Sequence, residues 1–112
     1  MTPDQIAATK RMAEKMGYCY DGNWWWTPKG KQLFTADLPD YTTDLNQMME
    51  VVTTIIESAV GTWSIVGRSD GEYVATIQIE CSDNPTISYV CHSSATPCLA
   101  LFGAVRKYLE EG

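Results

Sequence analysis

The single histidine of this 112-residue chain, His92, directly follows a cysteine, Cys91, the most tempting pairing of a nucleophile with a base. Thiolate catalysis needs the imidazole within hydrogen-bond reach of the sulfur. The pair falls on a segment that reads as a β-strand, where successive side chains point to opposite faces, so a Cys–His relay is not expected there. The four cysteines, Cys19, Cys81, Cys91 and Cys98, include no CxxC spacing. Structural zinc sites usually draw on closely spaced pairs, so the cysteines read as reduced, buried small hydrophobes. Asp37 with Asp40 and Asp70 with Glu72 are carboxylate pairs in loops or turns, and Asp70 is better explained by turn chemistry. No GxGxxG, P-loop, HExxH, GxSxG or EF-hand spacing occurs. No catalytic residue, metal ligand or cofactor site is therefore assigned.

The residues that stand out instead are aromatic. Trp24-Trp25-Trp26 cannot all face one core from an extended segment, because side chains alternate. Trp25 should point opposite to Trp24 and Trp26, leaving one side partly exposed. With Tyr18 and Tyr20 before them and Lys29 and Lys31 after, these rings have the composition of a binding surface. They could serve as anchors for a protein partner or as a stacking platform with cationic help for a nucleotide. The expectation is that Trp25 anchors the partner while Lys29 and Lys31 tune orientation. The competing reading is structural, with the rings capping two faces of a thin domain under the loop 31–42.

The elements that must position these residues follow from local signals. Thr2-Pro3-Asp4-Gln5 predicts a capped helix start, with Ile6, Ala13 and Met16 toward one face and Gly17 as the stop. Asp21-Gly22 between aromatic runs predicts a hairpin. Thr27-Pro28-Lys29-Gly30 predicts a second turn, and 31–42 reads as loop. A second helix is predicted after a cap at Thr42 or Thr43, with Asp44 in its first turn. Its apolar stripe is Leu45, Met48, Met49, Val52, Ile55, Ile56 and Ala59, and Gly61 ends it. Thr62–Val66, Tyr73–Glu80 and Thr86–His92 predict an antiparallel meander, turning at Gly67–Gly71 and Cys81–Pro85. The middle strand should place Tyr73, Ala75, Ile77 and Ile79 on one face. A third helix is predicted over 97–110 behind a Thr96 cap, with Cys98, Leu101, Phe102, Val105 and Leu109 apolar. The fold class is α+β: a three-stranded or slightly larger antiparallel meander packed with three helices.

Length and composition bound the rest. At 112 residues, 45% hydrophobic and 20% charged, the chain is expected to form a single globular domain over 1–112. No apolar run approaches the length that crosses a bilayer. The opening MTPDQIAATKRMAEK lacks an apolar signal core, so a cytoplasmic location is expected. The net charge of −6 argues against direct nucleic-acid binding, since phosphate neutralisation supplies most of that affinity. It is also modest for a mimic of nucleic acid. Charge is uneven along the chain. Residues 1–34 carry five bases against three acids, and residues 35–112 carry three bases against eleven acids.

The block Pro39-Asp40-Tyr41-Thr42-Thr43-Asp44-Leu45-Asn46-Gln47-Met48-Met49-Glu50-Val51-Val52 resembles a stretch of the phage ABA-sandwich domain family, small proteins of phage and prophage genomes. The likeness extends, in the same order along the chain, to Met16-Gly17-Tyr18, the Trp26-x-Pro28-x-Gly30 turn, the lone Trp63 and the last helix through Val105–Leu109. The resemblance implies a three-layer α/β/α sandwich and a phage-encoded accessory protein, and it carries over no catalytic or cofactor residue. The triple tryptophan and the four cysteines depart from the family pattern. The resulting expectation is a non-enzymatic accessory protein of the host cytoplasm that binds a host protein and inhibits an intracellular defence system. The alternatives are sequestration of a nucleotide-like ligand and a homo-oligomeric structural or morphogenetic phage component.

Overall fold

The computed structural model describes residues 2–58, 61–81, 84–93 and 95–111. Ala59 of the predicted helical stripe, Asp83 of the predicted turn and the Cys81 side chain lie outside what is described. The fold is α+β, with three helices and two three-stranded antiparallel sheets. The chain divides into two compact units, Met1–Asp40 and Tyr41–Gly112. Among the described residues no helix is long and apolar enough to cross a membrane.

The first unit opens with helix α1, Pro3–Lys15. The predicted capping box forms: the Gln5 N–H donates to Thr2 Oγ1, and the Thr2 N–H donates to Gln5 Oε1. Gly17 ends the helix at a φ of +94°, a conformation that costs glycine little. This lets the Tyr18 N–H fold back onto the Ala13 carbonyl. The buried face is Ala8, Thr9, Met12 and Ala13. Of the three residues predicted to face inward, only Ala13 does so fully; Ile6 is exposed and Met16 half-buried.

Three two-residue strands follow, β1 (Cys19–Tyr20), β2 (Trp25–Trp26) and β3 (Gln32–Leu33), paired in that order. The segment predicted as loop from 31 therefore supplies a strand, and a short 3₁₀ turn, Thr35–Asp37, follows it. The second predicted turn is present. The Gly30 N–H donates to the Thr27 carbonyl, and the Thr27 N–H to that of Lys31.

In the second unit helix α2 covers Leu45–Ser58. Its cap is Asp44 rather than a threonine: the Gln47 N–H donates to Asp44 Oδ1 at 3.2 Å. Met48, Val51, Val52 and Ile55 are buried, while Leu45 at the start is exposed. Strands β4 (Gly61–Gly67), β5 (Tyr73–Cys81) and β6 (Asn84–Ser93) form the predicted meander. The alternation on β5 holds, with Ala75, Ile77 and Ile79 buried and Gln78 and Glu80 exposed.

Helix α3, Pro97–Glu111, is capped as predicted by Thr96, whose Oγ1 accepts from the Leu99 N–H. It packs across β5 and β6, and α2 touches both α3 and β4. Cys98, Ala100, Leu101, Phe102, Ala104 and Val105 are buried. At Gly103 the strand and helix come close enough that a Cβ would overlap Cys91 Sγ. Small size, not backbone freedom, explains that glycine.

Candidate functional site

The aromatic segment is built on the small sheet. Cys19 pairs with Trp26 and Tyr20 with Trp25, while Trp25 pairs with Leu33 and Trp26 with Gln32. Directly opposed residues share a face. One face therefore carries Tyr20, Trp25 and Leu33, and the other carries Cys19, Trp26 and Gln32. Trp24 and Phe34, one position further along, fall on the second face. Their rings meet there with centroids 4.7 Å apart and planes tilted by 56°, within the range of favourable aromatic pairs.

This arrangement corrects the expectation for Trp25. Its side chain is only 2% exposed, because β2 is the central strand and Trp25 lies between Tyr20 and Leu33. The Tyr20 and Trp25 ring centroids are 5.2 Å apart. A ring buried to that extent packs the unit and offers a partner no surface. The exposed aromatic surface lies elsewhere. Phe34 is 63% and Tyr20 54% exposed, and Trp24 and Trp26 are half-buried. Trp24, Gln32, Leu33 and Phe34 line an open hollow of about 280 Å³.

Asp21 holds the face in shape. Its Oδ1 accepts from the Asn23 and Trp24 backbone N–H groups at 2.8 and 2.7 Å, and its Oδ2 accepts from Trp26 Nε1 at 2.8 Å. The Asp21 N–H closes the hairpin onto the Trp24 carbonyl. Donation from the Trp24 backbone first, then from the Trp26 indole and the Asn23 backbone, holds the Asp21 carboxyl below the ordinary aspartate range. The carboxylate thus fixes the hairpin and one indole together. Tyr20 is tethered nearby, its hydroxyl donating to the Gly22 carbonyl.

Of the other residues singled out from sequence, Lys29 and Lys31 are exposed in the β2–β3 turn, and Tyr18 is half-buried at the end of α1. The structure therefore joins Trp24 and Trp26 on one face and sets Tyr20 and Trp25 on the other. Phe34, Gln32 and Asp21 were missed as site residues. For Phe34 the available signal was the polar-apolar-aromatic alternation Gln32-Leu33-Phe34 directly after the Gly30 turn. For Asp21 it was a turn aspartate placed two and three residues before exposed N–H groups.

The chemically tempting residues separate as strand geometry requires. Cys91 packs toward Gly103 of α3. On the opposite face, exposed His92 places Nδ1 2.9 Å from Glu72 Oε1. Asp70 serves the turn, accepting from the Glu72 N–H and lying 3.7 Å from Arg68. Contrary to the expectation from sequence, the cysteines are not uniformly buried. Cys98 is buried and its thiol donates to the Tyr41 carbonyl, but Cys19 is exposed on the small sheet. No group of three or more His, Cys, Asp or Glu side chains able to hold a metal gathers among the described residues. Comparison with family models, curated proteins and solved structures finds no match for the chain.

Proposed function

We propose that this chain is a non-enzymatic binding protein that engages a protein partner through the outer face of its small sheet. The observation that carries this reading is Phe34, 63% exposed and packed at a tilt against Trp24 beside an open hollow. A large ring held in place while exposed suits an interface anchor. It has few rotamers to lose, and its area becomes favourable once a partner removes it from water. Lys29 and Lys31 stand exposed in the adjoining turn and would steer an acidic partner surface. Trp24 and Phe34 take the anchoring role first assigned to Trp25.

The resemblance to phage ABA-sandwich proteins supports the finer reading. It makes the chain a phage-encoded accessory protein of the host cytoplasm, its partner a host protein, and its effect the blunting of an intracellular defence system. The three-layer sandwich belongs to the same proposal. A nucleotide-like ligand is the second reading, favoured by the same ring pair. The hollow is open, whereas small-molecule sites enclose most of their ligand's surface, so a protein partner is preferred.

Affinity capture from host lysate with mass analysis tests the proposal, comparing the unmodified chain with Phe34→Ala, Trp24→Ala and Lys29→Glu. A specific host protein should be retained by the unmodified chain and lost with either aromatic variant. Equal retention by all three variants would overturn the assignment. A heat-released nucleotide in place of a retained protein would transfer the site to the second reading.

A further inference from the structure

Both outer strands of the β4–β5–β6 sheet direct alternate backbone N–H and C=O groups away from β5. Such an edge is a template for another strand unless charge, proline, a bulge or a covering group blunts it. The two edges differ in this respect. β6 contains Pro85 and His92 and pairs with β5 across a register irregularity between Ile79 and Cys81. In addition, Lys107 Nζ donates to the β6 carbonyl of Val90. Among the described residues β4 shows no charge, proline or bulge, and the helices that touch it, α2 and α3, come from its own unit. It runs from Gly61 through Thr62, Trp63, Ser64, Ile65 and Val66 to Gly67, and its register with β5 is unbroken. Five of its seven residues are exposed, among them Trp63 at 41% and Val66 at 55%.

We propose that β4 is a self-association edge, pairing antiparallel with β4 of a second copy to make one continuous six-stranded sheet. The occupant is argued from the strand itself. In an antiparallel pair related by a two-fold axis, directly opposed residues must share a face, so their positions must be both odd or both even. Centring the axis on Ser64 pairs all seven residues. It sets Trp63 against Ile65, Thr62 against Val66 and Gly61 against Gly67 of the second copy. Trp63 is in register with Ile77, which pairs with Tyr89, so it ends the apolar face on which α3 packs. Pairing would extend that face across the axis and cover the exposed indole. The chain carries −6 overall, yet β4 brings no like charges together, and the small Ser64 lies at the axis. A charge-free strand of this kind fits its own copy better than a charged segment of another protein.

The test is analytical ultracentrifugation of the full chain across a wide concentration series, joined to amide hydrogen exchange. A reversible shift to twice the 12.5 kDa chain mass is expected, with the alternate amides of Thr62–Val66 that point away from β5 gaining protection as concentration rises. Ser64→Lys places two ammonium groups beside the axis and should weaken the dimer by about tenfold or more. Thr86→Lys on β6 should leave it unchanged. A monomer at every concentration would overturn the proposal. So would a dimer indifferent to Ser64→Lys whose β4 amides exchange as in the monomer. If Ser64→Lys does not fold, the exchange pattern of the unmodified chain decides alone.

Discussion

The two sheets of this protein are held by different physics. In β4–β6, strands of seven to ten residues carry long ladders and bury alternate aliphatic side chains beneath α3. In β1–β3 each strand has two residues, too few for a ladder to specify anything alone. There the shape comes from Asp21, the Thr27–Lys31 turn and the ring contacts of Tyr20, Trp24 and Trp25. A sheet built from turns and side-chain hydrogen bonds can leave large rings exposed, because it does not need all of them as core. The larger sheet buries the greater part of its apolar face and ends on an outer strand, β4, that carries no charge.

The largest expected effect tests whether the small sheet divides its rings between core and surface. Trp25→Ala should lower the unfolding free energy by about 3–5 kcal/mol, the range for a buried aromatic truncated to alanine. Phe34→Ala should change it by less than about 0.5 kcal/mol, as for an exposed position. Urea unfolding followed by circular dichroism reads both. Equal losses would mean that Phe34 is core, and the proposed interface would lose its anchor.

Gly103 tests the larger sheet. Alanine is worth about 1 kcal/mol over glycine within a helix, so propensity alone predicts that Gly103→Ala stabilises. The overlap with Cys91 Sγ opposes it, and overpacking typically costs about 1–3 kcal/mol. Gly103→Ala should therefore destabilise in the unmodified chain. In a Cys91→Ala background, where the sulfur is gone, the same substitution should become neutral or stabilising. A thermal-melt double-mutant cycle measures this reversal of sign, and two identical shifts would show that strand and helix are not in close contact there.

Thr2→Ala should remove one half of the capping box on α1 and cost about 0.5–2 kcal/mol, read as faster amide exchange in its first turn. This cap was legible in the sequence because every group involved lies within four consecutive residues. The meander and the Thr96 cap were legible for the same reason, as alternation and capping are local patterns. Three features were not. The cap of α2 lay among Thr42, Thr43 and Asp44, all good capping residues, and only the backbone path selects Asp44. A two-residue strand has no periodicity, so β3 passed as loop. Without β3, the central position of β2 and hence the burial of Trp25 could not be inferred, although the opposition of Trp25 to its two neighbours could. The exposed face was therefore assigned to the right segment but to the wrong tryptophan.

The smallest effect on global stability, and the most specific to the small sheet, is the pH response of Asp21. Its carboxyl is held below the ordinary aspartate range in the folded chain by the Trp24 backbone, the Trp26 indole and the Asn23 backbone. The unfolded chain lacks these donors, so the unfolded state binds the proton more readily. The stabilisation is therefore fully present above the ordinary aspartate value and is lost as pH falls through the lower folded value. The loss should be local: the Trp26 indole N–H resonance and the Asn23 and Trp24 amides should shift together across that acidic window. Asp21→Asn keeps one oxygen acceptor for the Asn23 and Trp24 N–H groups but turns a donor toward the Trp26 indole and has no titrating carboxyl, so the backbone hairpin should persist while the indole tether and the coordinated shift disappear. Buried β5 reporters such as Ile77 should be unmoved in both proteins. If Ile77 follows the Asp21 titration, the small sheet is not governed by its own turn, and the contrast between the two sheets fails.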